Sequence, residues 1–433
     1  MSAGPPDGER RAPLAGLVDH LFRHAAGEMV AALARLLGPA RLDLAEEAVQ
    51  DALLRALQTW PLAGVPDNPK GWLFQVARNR ALDRVRHETM SRTALQWPEG
   101  VVDLAQRGDG SDGGRIGDEA LAMMFMCCDP ALGRAAHIAL TLKLVSGFSV
   151  EEIADASLER APAVAQRLVR AKREIRERRL ALEIPLPREL GARLASVLEV
   201  IYLLFNEGYA SHGGESLVRA DLCDEAIRLA RLIAGNPQTD RPAVEALLAL
   251  MLLQRSRLPA RVDALGDLAL LADQDRSRWD RGLVEAGLRH LERAASGTEI
   301  SPYHIEAAIA AQHATARDAA STDWPAIRRL YDDLVALKPS PVVALNRAVA
   351  VAMAEGPEAG IGALERIGDD PALAQYHLLP AVRGGLERRA GRPRDALRHY
   401  RTALTLRCSA PERRFLERQI AEIENELSAT ARQ

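Results

Sequence analysis

Between Arg160 and Arg179 the chain carries eight Lys or Arg against two Glu, and their spacing is helical. Val164, Leu168, Ala171 and Ile175 form an apolar stripe, which leaves Arg160, Gln166, Arg167, Arg170 and Arg173 to share the opposite flank. The chemistry open to such a set is recognition: guanidinium groups bond phosphate oxygens and guanine edges, and an amide pairs bidentately with adenine. A solvated basic surface helix has the same charge pattern, so the flank has to be weighed with the rest of the chain.

The element that would position this helix lies just before it. Val150 to Ala156 places Val150, Ile153 and Ala154 on one face, behind Ser149 as an N-cap and with Glu151 and Glu152 in the first turn. Two short helices joined by a tight turn, the second basic, make a helix-turn-helix fit for a major groove. Pro162 is compatible with a helix starting at about Ala161, because a first-turn N–H has no partner to lose.

A second basic surface precedes it. From about Gly71 to His87, Trp72, Leu73, Val76, Leu82 and Val85 face a core, while Arg78, Asn79, Arg80, Asp83, Arg84, Arg86 and His87 point away. Ahead of that, Asp43 to Leu57 sets Leu44, Ala48, Leu53, Leu54 and Leu57 against an outward face of Glu46, Glu47, Gln50, Asp51 and Arg55. Trp60 to Lys70 holds three prolines and one glycine and is expected to be a loop. A first helix is expected over Leu14 to Leu37, after a disordered start.

A chain of 433 residues exceeds one core, and 48% hydrophobic with 27% charged residues is a globular composition. Aromatics at 4% and abundant Ala, Leu, Arg and Glu favour an all-α fold. Residues 1–183 hold 24 basic and 25 acidic side chains, so any DNA affinity must come from local segregation of charge. Cys127, Cys128, Cys223 and Cys408 show no metal-ligand spacing and fit a reduced, cytoplasmic protein, with the adjacent pair buried and free. The polar, Pro/Gly-rich start is no signal peptide, and no apolar run approaches a membrane span, so no membrane partner is expected.

Taken in order, DLAEEAVQDALLRAL, NPKGWLFQVARNRALDRVR and GFSVEEIA…RLVRAKREI resemble regions 2 and 4 of bacterial sigma factors of the extracytoplasmic-function group. The resemblance covers about residues 12–183 and implies region 2 over 12–91, a flexible linker over 92–118 and region 4 over 119–183. It implies that Glu47, Gln50, Asp51 and Arg55 face the β′ clamp helices of core RNA polymerase, with region 4 also meeting the β flap. It further implies that Lys70, Trp72, Arg78, Asn79, Arg80, Asp83, Arg84, Arg86 and His87 serve the −10 element of promoter DNA. Trp60 or Trp72 would wall the pocket of an unstacked base, or else pack in the core. Arg160, Ala163, Gln166, Arg167, Arg170 and Arg173 would serve the −35 element, with Lys172, Arg173 and Arg176 at phosphates. Leu168, Val169 and Ile175 read as core.

The remainder, 188–430 after the Ile184-Pro185-Leu186-Pro187 spacer, reads as helices joined by short turns. With 34-residue windows at 308–341, 342–375 and 377–410, Gly356 aligns with Gly391, Ile327 with Ile361 and Ala396, and Tyr331 with Tyr400. This points to degenerate tetratricopeptide-like repeats over about 308–410 and resembles the subgroup with a long C-terminal extension, which would bind a protein partner or the rest of the chain. Asn206, Glu207, Tyr209, Asp273, Asp275, Arg276, Arg278, Trp279, Asp280, His304 and His313 make no catalytic motif, and ion pairs between helices account for them. The expectation is therefore a sigma factor with no enzymatic activity, metal or cofactor. The alternatives are a helix-turn-helix regulator with a tetratricopeptide sensor, which has no use for the 43–87 helices, and an enzyme housed in 190–430.

Overall fold

The computed structural model of the chain describes residues 25–90, 113–157, 159–209, 218–263, 267–368 and 370–430. They are all-α: among them the only β pairing is a lone antiparallel bridge between Val262 and Leu268. The chain divides into two compact units, Met1–Val200 and Ile201–Gln433.

In the first unit, α1 (25–37) is followed by α2 (Leu42–Ala63) and α3 (Pro69–Met90). Gly38, at φ 85, turns the chain after α1. α2 packs on α3; α2 buries Ala45, Ala48, Val49, Ala52, Leu53, Ala56 and Trp60, and α3 buries Leu73, Ala77, Ala81, Leu82 and Val85. α2 outruns its expected end. Pro61 sits inside its last turn, and the helix stops only at Gly64, whose N–H reaches the Trp60 carbonyl. The loop is therefore short, and α3 begins at Pro69.

α4 (Gly113–Cys127), α5 (Arg134–Leu140), a π-turn (Thr141–Val145), α6 (Val150–Ser157) and α7 (Ala161–Arg178) complete the unit with the first part of α8 (Pro187–Tyr209). α4 starts inside the expected linker, whose residues 92–112 lie outside the described ones, as do residues 1–24 of the expected disordered start and first helix. A Cβ on Gly27 would lie 1.9 Å from the Val145 carbonyl oxygen, so only glycine lets α1 seat on the π-turn. The unit also runs past the 184–187 spacer. Arg193 of α8 donates to the Phe125 carbonyl at 2.8 Å and pairs with Asp129 at 2.9 Å. Such buried pairing depends on residues some 65 apart and is invisible to periodicity.

In the second unit α9 (Ala220–Ala234) and α10 (Pro242–Arg255) follow α8, and α10 is buried from Val244 through Leu253 without a break. α11 (Arg281–Ala294) and α12 (Pro302–Thr315) pack on it. Then come α13 (Trp324–Leu337), α14 (Pro341–Glu355), α15 (Pro357–Glu365), α16 (Leu378–Arg389), α17 (Pro393–Thr405) and α18 (Ala410–Thr430), each packed on the next. Their cores are local clusters strung along the chain, around Ile327 and Val343, around Ile361 and Leu386, and around Ala396 and Tyr400. Gly356 (φ 107) is the N-cap of α15 and Gly391 (φ 74) sits one residue before the N-cap of α17, each in the turn between two helices, and Gly384 leaves 3.0 Å between a would-be Cβ and the Tyr400 ring. Arg347 and Arg328 pair with Asp332 at 2.6 and 2.8 Å, and Arg388 pairs with Glu422 at 2.8 Å.

The polar segments that tempt one toward catalysis are partly structural. Asp275 and Asp280 cap helices, and His304 closes a capping box with Ser301. Tyr202 donates to Glu306 at 2.5 Å. Among the described residues no His, Cys, Asp and Glu group could hold a metal, and no helix is long and apolar enough to cross a membrane. Cys127, Cys128 and Cys223 are buried thiols, with burial pushing the latter two up to about 12.

His313 carries a measurable consequence. Burial, reinforced by Arg257 and Arg276, lowers its imidazole from the ordinary value to about 3. Below about pH 6.5 the unfolded chain takes up a proton that the folded chain refuses, so stability falls as pH drops toward about 3. His313→Gln removes this term. The gap between variant and wild type in urea unfolding should widen in the variant's favour by up to about 1.4 kcal/mol per pH unit below about pH 6, and a pH-independent gap contradicts it.

Candidate nucleic-acid interface

α6 and α7 form the helix-turn-helix as expected. Ser149 and Glu152 make a reciprocal capping box, the Ser149 N–H donating to Glu152 Oε2 at 2.8 Å and the Glu152 N–H to Ser149 Oγ at 3.0 Å. α7 starts at Ala161 with Pro162 in its first turn, and it buries Val164, Leu168, Ala171 and Ile175. It ends at Arg179 in the left-handed region (φ 52).

The exposed face carries Ala163, Gln166, Val169, Arg170 and Arg173, with Arg160 at the helix entry. Val169 is a correction: it is 67% exposed, because the i, i+3, i+7 line from Gln166 through Val169 to Arg173 lies opposite the stripe. An apolar side chain there can meet a thymine methyl. Arg167 differs from its neighbours, since it is held bidentately by Glu159 at 2.8 and 2.5 Å, which raises its already high pKa and lowers that of Glu159. Arg173 is exposed and pairs with Glu177 at 2.7 Å, a contact easily exchanged for a phosphate.

Lys172 is the second correction. It faces inward, pairing with Asp43 at 2.9 Å and with Glu46 more closely still, and it is only 16% exposed. Burial pulls its pKa down, but Glu46 and Asp43 outweigh burial and the net shift is upward. Glu46, expected on the outer face, is therefore buried, drawn in by a cation 126 residues away.

On the α2–α3 pair the two expected sets adjoin. Arg80 of α3 bonds Asp51 of α2 at 2.7 Å and Arg84 approaches Glu47 at 4.0 Å, so acids and bases share one surface. Gln50, Arg55, Asn79, Asp83, Arg86 and His87 are exposed, and Lys70 pairs with Glu28 at 3.2 Å. Arg78 is buried, its Nε without a partner, because it falls on the line of Ala77, Ala81 and Val85. It is no free DNA contact in this arrangement. Trp60 is core and Trp72 is half-buried beside it, ring centroids 5.6 Å apart. Leu54 and Leu57, expected in the core, are 56% and 46% exposed among the acids of α2. A long outward helix with leucines amid carboxylates is suited to a protein partner.

Residues 21–90 match Sigma-70 region 2, and residues 193–295 match a family of unknown function (DUF6596). An uncharacterized protein of Rhizobium meliloti (strain 1021) is 42% identical over 394 residues, 90% of this chain and 92% of its own length. A protein of Mycobacterium tuberculosis (strain ATCC 25618 / H37Rv), "Probable ECF RNA polymerase sigma factor SigI", is 29% identical over 148 residues, 33% of this chain and 49% of its own. With the region 2 match lying on α1–α3, these likenesses place the chain in the extracytoplasmic-function sigma factor family, in a form whose C-terminal extension carries a DUF6596 domain at residues 193–295.

Proposed function

We propose that the chain binds core RNA polymerase through α2 and recognises a promoter at two places, α3 at the −10 element and α7 at the −35 element, without chemistry of its own. The observation that carries the reading is the exposed face of α7, with Gln166, Val169, Arg170 and Arg173 in line on a helix-turn-helix that follows a sigma region 2 in the same chain. Promoter opening then comes from preferential binding of the single-stranded −10 state, a population shift. The helical extension from α9 to α18 regulates this activity or engages a partner, with tetratricopeptide-like hairpins supplying the surface.

The Lys172 contact adds a condition. The −10 and −35 elements are about 25 base pairs apart, about 85 Å at about 3.4 Å per step. Lys172 of α7 touches Asp43 and Glu46 of α2, so a chain closed in this way cannot span both elements. Occupying the promoter requires that ion pair to open, and polymerase provides the competing surface for α2.

Docking through α2 has a direct test. Leu54→Asp puts a charge into the centre of the outward face, and affinity for core polymerase should fall about tenfold or more, measured by fluorescence anisotropy with the full chain. Leu54 is exposed, so folding should be unaffected by circular dichroism. Undiminished core affinity would remove α2 from the interface. A helix-turn-helix regulator acting without polymerase predicts no core binding by the wild type.

A further inference from the structure

In the second unit three arginines, Arg257, Arg261 and Arg276, cluster, and among the described residues no carboxylate is ion-paired to any of them. Two are satisfied by other means. Arg276 donates to the carbonyls of His313 at 2.7 Å and Ala316 at 2.6 Å and to Thr322 Oγ1 at 3.1 Å. Arg261 bonds the Tyr209 carbonyl and lies 3.8 Å from that ring's centroid. Neither is ion-paired to a carboxylate among the described residues, and Asp318 acts on Arg276 only through space.

Arg257 is different. It makes no side-chain hydrogen bond to any described residue, and its Nε is shut off from solvent without a partner. Its guanidinium lies 5.4 Å from the Trp279 ring, and the Trp279 indole N–H, also buried, is unpartnered as well. So is Nδ1 of His313, which burial, Arg257 and Arg276 keep neutral. Arg257 itself is half-buried, as are Tyr209 and Tyr331, whose ionisation feels it. Burial, and Arg261 beside it, lower the Arg257 pKa. Leaving Arg257 Nε and an indole N–H buried and unbonded is unfavourable, and native structures relieve such donors with a bound water or ion.

We propose that this cluster is a binding site for a small anion, a carboxylate or phosphate group that accepts hydrogen bonds from Arg257 and from the Trp279 indole. An anion supplies what the cluster lacks: acceptors for two orphaned donors and negative charge among three cations. A water molecule would satisfy the donors and leave the charge. The site lies in the DUF6596 region and beside it, where no ligand is assigned, and it makes the extension a sensor of an anionic small molecule.

The full-length chain should be titrated with inorganic phosphate and, separately, with citrate, against sodium chloride at equal ionic strength. Calorimetry should show saturable binding of at least one of the two beyond the chloride control, the stronger identifying phosphate or carboxylate as the preferred group. Arg257→Gln should weaken it about tenfold or more, and Arg257→Lys should lose less. Equal affinity in Arg257→Gln, or no saturable binding of either anion to the wild type, overturns the site. Should Arg257→Gln not fold, tryptophan fluorescence decides: a saturable change in the wild type must vanish in Trp279→Phe, and its persistence there overturns the proposal.

Discussion

Asp43→Asn combined with Glu46→Gln is expected to open the N-terminal unit. Both carboxylates bond Lys172, and with them gone a cation that is only 16% exposed has no counter-charge. Removing the partners of a pair this buried costs about 3 kcal/mol, about a hundredfold in the closed-to-open ratio. The change need not unfold anything, because the helix-turn-helix keeps its own stripe and capping box and α2 keeps its packing on α3. Spin labels at the exposed positions Gln58 and Glu177 should report a longer and broader distance distribution than in the wild type. Affinity for core polymerase should rise with it, since docking no longer has to break the contact. An unchanged distance with unchanged core affinity would mean that the ion pair does not restrain α7.

Arg170→Ala is expected to cost about 1–3 kcal/mol in −35 discrimination, the range of a good bidentate base contact. Arg170 is exposed on α7 and among the described residues its side chain bonds only the Gln166 carbonyl one turn back, at 3.3 Å, so it is available. Arg167→Ala is the contrast. Arg167 must first leave the bidentate grip of Glu159, so its loss should reduce duplex affinity less and flatten sequence preference little. Binding of a −35 duplex and of single-base variants, followed at fixed salt, separates the two. Equal penalties for both substitutions would contradict the assignment of the reading face.

How much of this was legible in the sequence depends on the range of the interactions involved. The stripe Val164, Leu168, Ala171 and Ile175, the Ser149 cap and the start at Ala161 all follow from spacing within one or two turns, and all stand. Periodicity fails at the edges of a stripe. Leu54, Leu57 and Val169 are apolar and were expected inward, yet their angular positions face out; Arg78 is charged and yet sits on the buried line. Glu46 and Lys172 are a stronger case, because neither carries any local sign of a partner more than a hundred residues away. The same holds for Arg193, whose bonds to Phe125 and Asp129 carry the first unit past the proline spacer. In the extension the glycine turns at Gly356 and Gly391 were legible through their spacing, whereas the unpartnered Arg257 was not, since its isolation is a property of everything packed around it.

Transcription by core RNA polymerase supplied with the purified full-length chain, on DNA from upstream of its own gene and of its neighbours, tests the central claim most directly. A specific transcript that appears only with the chain present, and that is lost when Arg170 and Gln166 are both replaced by alanine, is the predicted result. No specific start on any such template, together with no binding to core polymerase, would contradict it.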